Sequence, residues 1–300
     1  MGFETCISST HHEKNDIKFH ALLPPNPACT FFVPYPSMTE EIELNQIDNK
    51  IQPNNIALFV TCLVNNFRPS IGFASVRLLQ AIGYDPEVPM QQTCCGQPNY
   101  NNGDSDNAAN IAKFNIQLLQ DYDGVVVPSA SCAGMIRNHY PKLLQGNAIW
   151  QQKASELADK TWELSEFIAK MARHKLPINA TLKTSLTHHH SCSSLREIKS
   201  TEQVSHLLNH CLPNCTYQEL SEPAACCGFG GTFCIKFNDI SRHMGQNKLK
   251  DIDQTGARTS TCLDLGCIMQ LESLNRENSE IKIQHLAELL DESLWGKQDS

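Results

Sequence analysis

TCCGQP at Thr93–Pro98 and ACCGFG at Ala225–Gly230 set two adjacent cysteines before a glycine, twice in one chain. The recurrence extends outward from both. Cys62 and Cys192 are 130 residues apart, Cys94 and Cys226 are 132 apart, and Cys132 and Cys267 are 135 apart. Three landmarks at nearly one spacing describe a tandem duplication of about 130 residues.

Around these landmarks, strand-length apolar runs alternate with helical patterns. IALFVTC reads as a strand ending at Cys62, and SIGFASVRLLQAIGY as the helix after it. A helix follows TCCGQP from about Asp106 to Asp121, DGVVVPSASC is a strand ending at Cys132, and a helix runs from about Ala133 to Tyr140. The second copy repeats the scheme. LKTSLTHHHSC is a strand ending at Cys192, then come SLREI and TEQVSHLLNHC as helix, a helix over Asp239–Asp253 and a strand in ARTSTCLDLGC with Cys267 in the turn after it. Such alternation predicts an α/β fold of two tandem Cys-Cys-Gly repeats, each a small parallel sheet with flanking helices. The first repeat spans 53–147 and the second 179–300. Residues 148–178 read as a helical connector, with Trp162, Leu164, Phe167 and Ile168 on its buried side. Residues 1–52 are proline-rich and aperiodic, a loosely ordered extension or an arm packed by Phe31, Phe32 and Tyr35.

In a parallel sheet, groups at the carboxyl ends of strands converge on one rim. Cys62, Cys94, Cys95 and Cys132 are expected to meet at the first rim, and Cys192, Cys226, Cys227 and Cys267 at the second. Adjacent cysteines diverge from one another and chelate a single tetrahedral ion poorly; structural zinc sites usually separate paired ligands. Neighbouring thiolates can reach different irons of a larger cluster, and four thiolates are what such a cluster commonly takes. Gly96 and Gly228, without Cβ, let the backbone turn tightly and approach it. Zinc is the stronger rival. A redox dithiol is the third reading, because a disulfide between adjacent cysteines is strained.

The totals bound the function. The chain has 300 residues, 14 cysteines, 41% hydrophobic residues and a formal net charge of −8. A core of that size does not need disulfide staples, so the cysteines point to metal or redox chemistry in a reducing compartment. The acidic balance lacks the basic face of a nucleic-acid binder. The longest apolar run, Ile56–Val64, is far short of the ~20 residues that span a bilayer, so no transmembrane segment is expected. The start, MGFETCISST, has no apolar signal core, and a cytoplasmic location follows as an expectation. GFGGTF at Gly228–Phe233 lacks the spacing and lysine of a nucleotide loop. The Cys211/Cys215 pair has no zinc-completing partner pair nearby and reads as packing or surface cysteine. THHHSC places His189 near Cys192 in a supporting role at most, and Arg68, Arg77, Arg137 and Arg196 read as solvated helix charges. No run of the C-x2-C-x2-C-x3-C-P kind is present, so electrons leaving this chain need a carrier on another.

The strings LFVTCLV, QQTCCGQPNYNNG, DYDGVVVPSASCAGM, HHSC, CCGFGGTFCIKF and GCIM, in that order over residues 56–290, resemble the Cys-Cys-Gly (heterodisulfide-reductase-related) cysteine-rich family. The resemblance implies an iron–sulfur component of an oxidoreductase that oxidises L-lactate to pyruvate, or a related 2-hydroxy acid such as glycolate. It implies two partner subunits, one carrying ferredoxin-type clusters, and one or two 4Fe-4S clusters on the eight cysteines. A thiol–disulfide reductase or a zinc-stabilised scaffold is the alternative. Met135 and Gln270 stand where the wider family has a fifth cysteine in each repeat, which argues against its noncubane clusters. His190 stands where the family usually has aspartate, and Cys262 offers a substitute for Cys267.

Overall fold

The computed structural model describes residues 53–275 and 281–296. The reading of residues 1–52 lies outside them. Two parallel sheets carry the chain. β1 (Ile56–Leu58), β2 (Gly124–Val127) and β3 (Thr161–Glu163) form the first in the order β1-β2-β3. β4 (Ser185–His188), β5 (Thr216–Tyr217), β6 (Thr259–Cys262) and β7 (Lys282–His285) form the second in the order β5-β4-β6-β7. Every residue of β1 and β2 is buried, as expected of strands covered by helices on both faces.

The duplication is visible in the register. Ile56 pairs with Gly124 in the first sheet, and Leu186 with Thr259 in the second. Glu87 bridges to Ala57 in parallel, with Leu58 N–H donating to Glu87 C=O at 2.8 Å, and so fills the edge position that β5 fills in the second sheet. Each sheet therefore has its second segment outside the first and its third on the other side. That is the doubly wound order whose crevice lies between the first and third strands. In both repeats the last helix starts directly from a strand and is capped by that strand's final residue. Glu163 accepts from Ser165 N–H at 2.7 Å, and His285 Nδ1 from Ala287 N–H at 3.1 Å.

Two expectations change. The stretch read as one helical connector is split by β3 into helices Ala148–Asp159 and Leu164–Met171. Thr161, Trp162 and Glu163 pair with β2, and three residues are too few to show a period of two inside an amphipathic pattern. Cysteines 62, 132 and 192 do not end strands, and Cys267 lies within a helix rather than in the turn before one. Cys62, Cys132 and Cys267 sit in the first turns of helices Cys62–Phe67, Ala130–Gly134 and Leu265–Leu274, and Cys192 opens the helical segment running to Ile198. Ser129 starts a helix before the strand can reach Cys132: its Oγ accepts from Cys132 N–H at 3.3 Å as the helix cap.

The repeats pack by exchange. Helix Ser70–Ala81 of the first lies on Leu286–Trp295 of the second, and Thr201–Cys211 of the second lies on Leu164–Met171 of the first. Three of the four arginines read as solvated, Arg68, Arg77 and Arg137, are tied into this scaffold. Arg68 bridges Glu288 at 2.9 Å and Glu272 at 2.8 Å, Arg77 pairs with Asp291, and Arg137 with Glu166 at 2.7 Å. No helix among the described residues is long and apolar enough to cross a membrane.

Candidate metal centres

The two Cys-Cys-Gly loops bring their thiols to the rims of the two sheets. At the first, Cys62 Sγ lies 3.7 Å from Cys94 Sγ, and Cys95 Sγ 3.3 Å from Cys132 Sγ. Cys94 also reaches Cys95, closing a chain of four sulfurs. At the second, Cys192 meets Cys226, Cys226 meets Cys227, and Cys227 meets Cys267. The structure thus gathers Cys62, Cys94, Cys95 and Cys132 in one cluster and Cys192, Cys226, Cys227 and Cys267 in the other. Cys262 adjoins Cys267, so the second cluster has a fifth sulfur. Cys211 is buried packing, Cys215 Sγ faces Leu182 C=O at 3.6 Å, and Cys234 Sγ faces Gly231 C=O at 3.0 Å.

The electrostatics repeat as well. Cys94 is the thiol that ionises first, held near 3 chiefly by the hydrogen bond from Cys62, then by Cys95 and by Gly96 N–H at 3.4 Å. Cys226 is lowered in the same way by Cys192, Cys227 and Gly228 N–H at 3.3 Å. Their donors Cys62 and Cys192 are pushed up by giving that hydrogen bond and by burial. In each cluster one thiol ionises readily while the cysteine that hydrogen-bonds to it holds its proton, an arrangement poised to release protons to a cation, since metal ligation requires deprotonated sulfur. The helix starts at Cys62, Cys132 and Cys267 add a favourable dipole for that charge.

Both glycines of the Cys-Cys-Gly turns have left-handed backbones, with φ +85 at Gly96 and +86 at Gly228. Their surroundings differ. A Cβ on Gly228 would stand 2.3 Å from Ser241 C=O, whereas on Gly96 its nearest neighbour is Ile111 Cγ2 at 3.3 Å. Gly96→Ala is therefore expected to cost ~1–2 kcal/mol from backbone strain, and Gly228→Ala ~3 kcal/mol or more through the added clash. Thermal unfolding of the two variants checks the order; equal losses would show that strain alone decides.

His189, expected from the sequence near Cys192 in a supporting role, lies closer to the chemistry than that. It is 1% exposed, and its ring lies with Cys227 and Cys267 in a group whose ligand atoms all fall within 4.8 Å of one another. Burial holds it near 3, so the imidazole is neutral. Three consecutive histidines alternate across a strand end, and only the register shows that His189 is the one turned toward the thiols.

Two doubly wound repeats, each presenting a four-thiol cluster at its switch-point crevice, define a cysteine-rich α/β protein. The chain belongs to the cysteine-rich (CCG) domain family, which it matches over residues 56–137 and 186–272. It is similar to lactate utilization protein A of Bacillus subtilis (strain 168), 40% identical over 237 residues that cover 79% of this chain and 98% of that protein. It is similar to the protein of the same name from Halalkalibacterium halodurans, 38% identical over 79% of this chain and 96% of that one. Among solved structures, a hypothetical protein from Helicobacter pylori shares the fold with a TM-score of 0.60 and 14% identity over 83% of this chain. This chain spans half the length of that protein.

Proposed function

We propose that this chain is the iron–sulfur subunit of an oxidoreductase complex that oxidises L-lactate, or a related 2-hydroxy acid such as glycolate, to the 2-oxo acid. Its place would be the cytoplasm. The observation that carries the reading is the pair of four-thiol clusters at equivalent rims, joined to a similarity of 40% to lactate utilization protein A. Cys62, Cys94, Cys95 and Cys132 would hold one 4Fe-4S cluster, and Cys192, Cys226, Cys227 and Cys267 a second. The donor set fits such a group in number and softness. When bound, the clusters supply one-electron transfer. Around them, Gly96 and Gly228 N–H groups stabilise charge on Cys94 and Cys226, and buried Cys95 and Cys227 keep water from the inner side. Electrons pass to two partner subunits, one with ferredoxin-type clusters, because this chain has no ferredoxin run of its own.

One distance favours a second reading. A zinc ion with ~2.3 Å bonds to sulfur sets its tetrahedral ligands ~3.8 Å apart, close to the 3.7 Å between Cys62 and Cys94. The 3.3 Å between Cys95 and Cys132 is too short for that tetrahedron. A multi-iron core needs all four side chains to spread from these contact positions. Iron and acid-labile sulfide per chain after anaerobic purification decide the matter. About eight irons with matching sulfide are expected for a four-iron cluster in each repeat, and about four would leave one repeat empty. Zinc without sulfide overturns the redox reading.

A further inference from the structure

The second rim carries donors that the first lacks. Aligned on the strand pairs Ile56–Gly124 and Leu186–Thr259, His189 occupies the position of Phe59, and Cys262 that of Val127. The backbone agrees. Phe59 N–H donates to Val126 C=O at 2.8 Å, and His189 N–H to Thr261 C=O at 2.7 Å. The same point in the fold thus holds a hydrocarbon ring in one repeat and an imidazole in the other.

The imidazole has no structural partner. Both ring nitrogens of His189 are buried without a hydrogen bond, whereas buried polar groups are ordinarily satisfied. Its neighbours on the strand differ. His188 Nδ1 engages Thr261 Oγ1 at 2.7 Å, and only one nitrogen of His190 is buried and unbonded. Cys262, the other additional donor, already accepts Asp264 N–H on its sulfur at 3.4 Å. His189 alone in this segment has both nitrogens unspent, and it stands within 4.8 Å of the Cys227 and Cys267 sulfurs.

We infer that His189 is a nitrogen ligand of the second repeat's metal centre, beside Cys227 and Cys267, so that the two repeats hold electronically different centres. This rests on the reading of the rims as metal centres. At a four-iron centre with one protein ligand per iron, His189 takes the place of one of the four thiolates; an imidazole brings no negative charge where that thiolate would bring one, and histidine ligation raises the potential of an iron–sulfur centre. The first rim, with Phe59 at the matching position, is all-thiolate. The second centre is then the better electron acceptor of the two, which gives electrons a direction within one chain.

The test uses the full chain. In anaerobically reduced protein, pulsed electron paramagnetic resonance is expected to show a directly bonded nitrogen whose coupling changes when histidine is labelled with nitrogen-15. His189→Phe should abolish that coupling and lower the midpoint potential of one centre while leaving the other unchanged. Phenylalanine is the substitute already buried at the equivalent position 59. Absence of a histidine coupling in the unaltered protein overturns the inference, and so does a His189→Phe spectrum and potential identical to the parent's. Cobalt(II) added to the metal-free chain separates this inference from the function it rests on. If iron does not bind but the cobalt absorption bands move in His189→Phe, the ligand stands and the iron reading falls. If iron binds and neither signal responds to His189, the ligand falls and the iron reading stands.

Discussion

Cys132→Ser is expected to remove about half of the iron and sulfide of the proposed clusters, whereas Cys267→Ser removes distinctly less. The two cysteines are equivalent in the duplication, and each starts a helix at the rim of its sheet. What differs is their company. Cys132 has Cys95 at 3.3 Å, and no further sulfur among the described residues is recorded in its cluster beyond Cys62 and Cys94. The strand that leads to it ends in Val127, which has nothing to offer a metal. Cys267 has Cys262 beside it, fully buried at the end of β6. A serine at 132 leaves three thiols and no replacement, while a serine at 267 leaves three thiols and the adjoining Cys262. Each exchange also buries a hydroxyl in place of a thiol, costing about 1–3 kcal/mol where no partner is found. Metal per chain, measured on protein shown to be folded by circular dichroism, separates the two effects. Equal losses of iron would mean that Cys262 provides no compensation.

That asymmetry marks how far the sequence could be read. The duplication was legible because cysteine pairs are rare and recurred at almost one spacing. β1 and β2 were legible because parallel strands covered on both faces are apolar throughout, as Ile56–Leu58 and Gly124–Val127 are. β3 was hidden because Thr161–Glu163 is too short to break a helical pattern, and β7 because Lys282 and Gln284 do not mark a buried strand, although Gln284 is buried. The eight cysteines could be grouped from their frame alone. Their true seats at helix starts could not, since the caps that end the strands depend on side-chain orientation. His189 was placed near Cys192 but only in a supporting role. Alternation puts consecutive strand residues on opposite faces, and a shift of one residue would have turned a different histidine to the thiols. The arginines were misread because their carboxylate partners lie more than 200 residues away for Arg68 and Arg77.

Asp264→Ala is expected to destabilise the protein by about 3–5 kcal/mol and to lower Tm by about 10 °C. Asp264 is 5% exposed and accepts three hydrogen bonds, from Ser129 Oγ at 2.7 Å, Ser131 N–H at 2.9 Å and Ser191 Oγ. Two of these donors belong to the first repeat and one to the second. By the 135-residue spacing of Cys132 and Cys267, Asp264 is the counterpart of Ser129, so the equivalent residues of the two repeats clasp one another. The contact is self-complementary in the way of a two-fold dimer interface, here within one chain. Alanine takes this acceptor from three donors, two of them the buried hydroxyls of Ser129 and Ser191, and an unmet buried donor costs more than a made bond contributes. Asp264→Asn keeps the shape and one acceptor oxygen, while its amide can donate to a serine hydroxyl; a loss near 1 kcal/mol is expected. The consequence reaches the metal. Ser131 N–H and Ser129 hold the turn that delivers Cys132, and Asp264 lies three residues before Cys267, so loosening one carboxylate slackens both rims. Asp264→Ala should lose metal from both repeats under mild chelation, with Asp264→Asn close to the parent. Selective loss from one repeat would show that the clasp serves only that rim and that the two centres are positioned independently.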